Sequence, residues 1–263
     1  VSANLKQQTA GRVPVFPAAD AYEAGVVPIR FSGWPLSAPE PVYAALDRDI
    51  DADVVVVGAG LAGASLCLHL AERGVNVVLL EADQPASGAS GRNAGHVQPY
   101  LGSLQALRHL PNQGRAFIDF FVANREIVFD LSNKYGMAAD VARCGLVEAA
   151  VREHTALADK ARRWQGLGYA VEVVDGGHLQ ALLGTSAYGY GLHWQEGGRI
   201  NPYLFTQGMV ASAAKLGTRV YGNSCVLACE RSGAQWQVRT ATGSVRAARV
   251  VLCTNGHAGN SFF

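Results

Sequence analysis

The pattern of apolar and polar positions changes sharply at Asp53. Before it, residues 1–50 hold six of the ten prolines, at Pro14, Pro17, Pro28, Pro35, Pro39 and Pro41. Each proline fixes its backbone and removes an amide donor, so this stretch is predicted to be an extended arm lying on the body. After Asp53, Val54–Val57 is a wholly apolar, β-branched run. Such a run predicts a strand buried on both faces, as in a parallel sheet. Leu61 to Arg73 then reads as a helix, with Leu66 and Leu70 on one face and Gly74 as its stop. Asn76 to Glu81 returns as a second apolar strand, which completes a βαβ unit.

Further along the periodicity alternates. Residues 86–102 are small and polar and read as loop. Ala116–Tyr135 reads as one long amphipathic helix, its apolar face running through Phe117, Phe120, Phe121, Ile127, Val128 and Leu131. Strands are predicted at Gly145–Val151, Ala170–Val174 and Tyr190–Trp194, and a helix at His154–Leu167. Pro202–Leu216 has proline in its first turn and Gly217 at its end, the marks of a helix. The remainder is strand-rich: Arg219–Tyr221, Cys225–Glu230, Trp236–Thr240, Ser244–Ala247 and Val250–Cys253, with hairpin turns at Gly233 and Gly243.

Composition narrows the function classes. At 49% hydrophobic and 16% charged, 263 residues can bury a sizeable core. The net charge of +1 lacks the footprint of a general nucleic-acid binder. No apolar run is long enough to span a membrane, and the polar first residues show no leader. The five cysteines form no CxxC pair and are expected as buried free thiols in a reducing, cytoplasmic compartment. His178, His193 and His257 lie far apart in sequence, so no metal site is expected from them. Trp194, Tyr188 and Tyr190 could line a substrate pocket, but aromatic residues on strands are more often core.

The chemistry concentrates between strand and helix. Gly58-x-Gly60-x-x-Gly63 follows the first strand and opens the helix. In that context Gly58 permits a tight turn, Gly60 a close approach of a pyrophosphate, and Gly63 close helix–strand packing. The helix N-terminus offers amides and partial positive charge to phosphates. Glu81 closes the second strand, where a carboxylate can accept from ribose hydroxyls and repel a 2′-phosphate. The glycine motif does not choose between FAD and NAD. The small, polar stretch Ser87 to His96 favours the longer flavin dinucleotide; Gly88, Gly91 and Gly95 permit close approach, and Ser90, Arg92 and Asn93 offer polar contacts.

The run from Asp53 to Asp83, followed by Ser87-Gly88-Ala89-Ser90-Gly91-Arg92-Asn93-Ala94-Gly95, resembles the D-amino-acid oxidase family of FAD-dependent amine oxidoreductases. It is most similar to the branch of gamma-glutamylputrescine oxidoreductase and glycine oxidase. Gly198-Arg199-Ile200-Asn201-Pro202, Ser224-Cys225-Val226 and Val250 to Gly256 also resemble family segments, so the likeness runs from about Asp53 to the C-terminus. It implies an α/β fold: a Rossmann-like, glutathione-reductase-like FAD-binding domain with an α+β substrate domain, incomplete at the C-terminus. The expected division is an arm at 1–50, a discontinuous FAD-binding domain at 51–102 and 200–263, and a partial substrate domain at 103–199. Family members continue beyond the turn at Thr254-Asn255-Gly256, so self-association or a complementing C-terminal part is expected.

Carried over position by position, Gly58, Gly60, Leu61, Ala62 and Gly63 would hold the pyrophosphate, and Glu81 with Ala82 the ribose. Ser90, Gly91, Arg92, Asn93, Ala94 and Gly95 would line the phosphate, ribityl and flavin end. Val226 would meet the adenine through its backbone, and Thr254, Asn255 and Gly256 would pass near the cofactor. His96 is the one catalytic candidate, falling near the flavin and substrate side; an ordinary loop histidine is an equal reading. Some relatives attach flavin through a histidine three positions before the equivalent of Gly95; Arg92 stands there, so the FAD is expected to be non-covalent. The implied activity is oxidation of a small-molecule amine or amino acid, by hydride transfer to flavin N5, to an imine that hydrolyses. Two alternatives stand beside it: an FAD- or dinucleotide-binding fragment without turnover, and an NAD-using protein like the thiazole synthases. Against the latter, the loop after Glu81 has no cysteine.

Overall fold

The structure, a computed structural model, describes Trp34 and residues 41–101, 107, 109–151 and 155–257. Most of the arm expected at 1–50, and all its prolines but Pro41, fall outside the described residues. In chain order the elements begin with strand β1 (Asp49–Val57), helix α1 (Leu61–Ala71), strand β2 (Val77–Leu80) and the short strand β3 (His96–Val97). Helices α2 (Pro111–Ala123) and α3 (Ile127–Lys134) follow, then β4 (Leu146–Ala150), α4 (Thr155–Gln165), β5 (Val171–Asp175) and α5 (Gly176–Leu183). The chain continues through β6 (Tyr190–Trp194), β7 (Gly198–Arg199) and α6 (Pro202–Lys215) to β8 (Arg219–Tyr221), β9 (Ala228–Ser232), β10 (Gln235–Arg239) and β11 (Ser244–Leu252). Two compact units result: one runs to Arg92 and resumes at Val210, and the other is Asn93–Met209.

The first unit is built on a six-stranded sheet ordered β8-β2-β1-β11-β10-β9. Strands β8, β2, β1 and β11 run parallel, whereas β10 and β9 add an antiparallel edge. The valine run sits in the middle of the parallel part: Val54–Val57 pairs Val77–Leu80 on one side and Arg249–Leu252 on the other. Its residues alternate between two faces. Val55, Val57, Val78 and Leu80 join Leu46, Val226, Val238, Val245 and Ala247 in one core. Val56 faces helix α1, where a Cβ on Gly63 would touch it, and α1 buries Ala64, Cys67, Leu68 and Ala71.

The second unit carries a three-stranded antiparallel sheet, β4-β6-β5, and the small β3–β7 pair. Helix α4 packs on it through Ala161 and Trp164, against Tyr169, Val171, Leu192 and Trp194. Trp194 is fully buried and stacks on Tyr100 at 3.7 Å. It belongs to the core rather than to a pocket wall; Tyr190 is half-buried and Tyr188 is exposed.

Several elements differ from their sequence expectation. β1 begins at Asp49, four residues before Asp53, because Asp49, Ile50, Asp51, Ala52 and Asp53 alternate with exposed aspartates. The acidic positions disguise a strand whose outer half faces water on one side. The single helix expected at Ala116–Tyr135 is two helices, broken at Asn124. The Asn124 side chain donates to the Phe120 carbonyl at 2.7 Å, and so caps the first helix. Phe117, Phe120 and Ile127, expected on the buried face, are exposed. Strands expected separately at Ser244–Ala247 and Val250–Cys253 are one strand, β11, held together by continuous pairing along β1. Cys225–Val226 precedes β9 rather than opening it. Of the cysteines, only Cys67 and Cys229 are buried, while Cys144 is exposed. Among the described residues, no helix is long and apolar enough to cross a membrane.

Candidate functional site

A cleft of about 270 Å³ opens in the first unit, at the carboxyl ends of its parallel strands. This is where ligands bind in open α/β sheets, because the chain turns outward there and exposes backbone amides. The loop after β1 supplies Gly58 and Gly60, and that after β2 supplies Glu81 and Ala82. The segment after β8 brings Ser224, Cys225 and Val226, and that after β11 brings Cys253, Thr254, Asn255 and His257. Ala86 to Ser90 closes one wall.

The three motif glycines do different physical work. Gly58 has φ +100, a conformation L side chains rarely adopt, and a Cβ there would lie 2.7 Å from the Cys253 carbonyl oxygen. A Cβ on Gly63 would lie 1.9 Å from the Gly58 oxygen, so only glycine lets α1 sit this close to β1. Gly60, by contrast, meets only the Ser90 hydroxyl, at 2.8 Å. That space lies over the start of α1, whose first amides have no intrahelical acceptor. The Leu61 amide already donates to Ser90 Oγ at 2.9 Å. Among the described residues lining the cleft there is no lysine or arginine, so these would hold an anion through backbone amides and the helix dipole.

Glu81 couples this turn to the far strand. Its carboxylate accepts from the Ala59 amide at 2.6 Å and from the Asp83 amide at 3.1 Å. Each carboxylate oxygen has a second lone pair, so both can also accept from a diol. Burial pushes the Glu81 carboxyl above its ordinary value, against the pull of the Ala59 and Asp83 amides; the charge of Asp83 pushes the same way. A raised folded-state pKa stabilises the fold below the unfolded value, about 4.3, and that contribution is lost as pH rises. Glu81→Gln removes the titration. The melting temperature of the native chain relative to this variant is therefore expected to fall from mildly acid to neutral pH. A difference that is flat or rises with pH in thermal melts would contradict it.

The thiols at the cleft are not poised as nucleophiles. Burial raises Cys225 and Cys253, and pushes Cys67, buried behind them in α1, up to about 12.

Of the sequence-predicted positions, Gly58, Gly60, Glu81, Ala82, Ser90, Val226, Thr254 and Asn255 line the cleft. Leu61, Ala62 and Gly63 form the first turn of α1. Gly91 ends a short 3-10 turn at Ala89–Gly91, Arg92 follows it exposed, and Gly256 sits in a second such turn. Asn93, Ala94, Gly95 and His96 belong to the second unit. There Asn93 Oδ1 accepts from the Gly95 amide at 2.9 Å, and exposed His96 pairs with Arg199 in the β3–β7 ladder. Val57, Ala86 and His257 also line the cleft and were not expected there, while Ser224, Cys225 and Cys253 line it within segments whose resemblance was noted but which were not named as site residues. Ser224 and Cys253 stand just past strand ends, the one signal that could have found them.

A parallel-stranded α/β fold with a glycine turn, a helix N-terminus and a strand-end carboxylate around one cleft is the arrangement of the dinucleotide-binding fold class. Residues 53–263 match the family model DAO, FAD dependent oxidoreductase, and the chain belongs to that family. It is 30% identical over 220 residues to gamma-glutamylputrescine oxidoreductase of Escherichia coli K12, covering 82% of this chain and 51% of that protein. It is 25% identical over 244 residues to the probable oxidoreductase OrdL of Rhizobium meliloti, covering 88% and 55%. The chain thus spans about half the length of the curated relatives it matches. In fold it is similar to glycine oxidase from Geobacillus kaustophilus, with a TM-score of 0.63 at 23% identity over 77% of this chain and 55% of that one.

Proposed function

We propose that the first unit holds the adenosine diphosphate part of a non-covalent FAD, and that the protein serves the oxidation of a small amine or amino acid. The observation that carries the reading is the floor of the cleft. At Gly60 the backbone is open to a diphosphate, and Glu81 lies beside it with a carboxylate suited to a ribose diol. In this reading the backbone at Gly60 and the amides of Ala62 and Gly63 hold the pyrophosphate, while the Leu61 amide, donated to Ser90 Oγ, borders that space. Glu81 accepts from the ribose hydroxyls and pins the Gly58–Gly60 turn through Ala59. The strand-end backbone at Val226 meets the adenine, and Thr254 and Asn255 border the cofactor from β11. Bound there, the flavin supplies a hydride acceptor for the carbon bearing the amine, and the resulting imine hydrolyses. The amine class is supported by the name of the 30%-identical relative. Arg92, at the position where some relatives carry the attaching histidine, supports release of the flavin on denaturation.

The test is an absorbance spectrum of the purified chain, with the chromophore identified after denaturation. Flavin bands near one per chain, released as FAD and bleached anaerobically by an amine or amino acid, are the expected result. Bound FAD that no such donor bleaches would overturn the oxidation reading and leave a binding module. A colourless chain that takes up NAD in preference to added FAD would overturn both parts.

A further inference from the structure

Outside the cleft, the second unit gathers a set of side chains whose chemistry has no use in flavin binding. Glu172 on β5 and His193 on β6 are directly opposite one another in the antiparallel ladder. They therefore project from the same sheet face, with His193 Nδ1 3.3 Å from Glu172 Oε1. Their chain neighbours Val171, Leu192 and Trp194 project from the other face into the core. Helix α5 begins directly after β5 and brings His178 over the same face; its ring lies 6.2 Å from that of His193, nearly perpendicular. One donor atom from each of Glu172, His178 and His193 lies within 4.8 Å of the other two.

The geometry points to a divalent transition-metal site, with Zn²⁺ the fitting ion, held by His178, His193 and Glu172. Two imidazoles and one carboxylate are a borderline donor set of the kind zinc takes with an open fourth position. Ligand atoms around a tetrahedral zinc stand about 3.3 Å apart, from bonds of about 2.0–2.1 Å. Closing from the present spacing needs only side-chain torsions, because Glu172 and His178 are exposed and free to rotate toward His193. The backbone is already placed. Ladder pairing fixes Glu172 against His193, and the fully buried Leu179, next to His178, anchors α5 on the sheet. Gly145 packs against His193, where a Cβ would come 3.1 Å from Nε2, so the backbone there holds the ring with Nδ1 toward Glu172. Bound metal would clip the short helix α5 to β5 and β6, stabilising the small sheet independently of the flavin cleft.

The experiment titrates Zn²⁺ into the full 263-residue chain, prepared without a histidine tag, by calorimetry and thermal melting. One ion per chain and a raised melting temperature are expected, and Co²⁺ should give the visible bands of a tetrahedral site. His178→Ala and Glu172→Gln alter exposed side chains, so far-ultraviolet circular dichroism should match the native chain. Each is expected to lower zinc affinity at least tenfold, since even groups behind the metal ligands are worth about 10–100-fold. The five other histidines remain in both variants. Affinity unchanged in either variant would mean diffuse surface binding and would overturn the site, as would the absence of saturable uptake by the native chain.

Discussion

Gly63→Ala is expected to cost about 3 kcal/mol or more, at or beyond the upper end for overpacking. The added Cβ would lie 1.9 Å from the Gly58 carbonyl oxygen and 3.3 Å from Val56 Cγ1. Neither neighbour can give way cheaply. Gly58 is held by its amide on Leu80 O at 2.8 Å, and the next strand crowds it through Cys253. Helix α1 cannot retreat without uncovering Cys67 and Leu68, both fully buried. Against a typical total of about 5–15 kcal/mol, that loss is a large share of the stability. Chemical denaturation would show a much lower midpoint, and the FAD binding proposed above is expected to be lost with it. Gly177→Ala is the control: nothing lies near its Cβ position, and it sits inside α5. Alanine there should leave the stability unchanged or raise it by up to about 1 kcal/mol. Equal midpoints for Gly63→Ala and the native chain would refute the close packing of α1 on β1.

Gly60→Ala is expected to separate binding from folding. Gly60 has φ −77 and ψ −174, a conformation alanine adopts freely. The only close atom is Ser90 Oγ, the end of a side chain that can turn aside. The fold should therefore lose less than about 1 kcal/mol. The methyl group would nevertheless occupy the space over the first amides of α1, where the proposal seats the diphosphate. FAD affinity is expected to drop at least about tenfold, equivalent to about 1.4 kcal/mol. Flavin fluorescence titration reads the affinity and denaturation reads the fold. Unchanged affinity in a folded variant would place the phosphates elsewhere.

The two variants show why adjacent glycines in one motif were legible to different depths. The strand–glycine–helix order and the position of Glu81 follow from local periodicity, and they predicted the residues that now floor the cleft. Which glycine guards the fold and which guards the ligand space was not legible. It depends on Cys253 and Ser90, which come from distant points of the chain. The misread elements have the same origin. Asp49 and Ile50 fell in the expected arm, and Asp51–Asp53 outside the expected strand, because the partner β11 lies far along the chain. Helix α5 was hidden by Gly176-Gly177, whose weak propensity is outweighed by burial of Leu179. The loop from Ser87 to His96 read as one functional segment, yet the division between units falls within it, after Arg92.

By itself, then, the order of residues determined the βαβ start, the buried valine strand, the glycine turn and the family likeness. Each depends on neighbours within one or two elements, where backbone sterics and side-chain period act directly. Tertiary structure alone decided that loops from four parallel strands meet in one cleft, and that Glu81 enters it half-buried with a raised pKa. It also decided that His178 and His193, on separate elements, face Glu172. Those outcomes rest on strand order and pairing between distant segments, and burial and proximity of that kind are properties of the assembled fold that no local stretch of sequence carries.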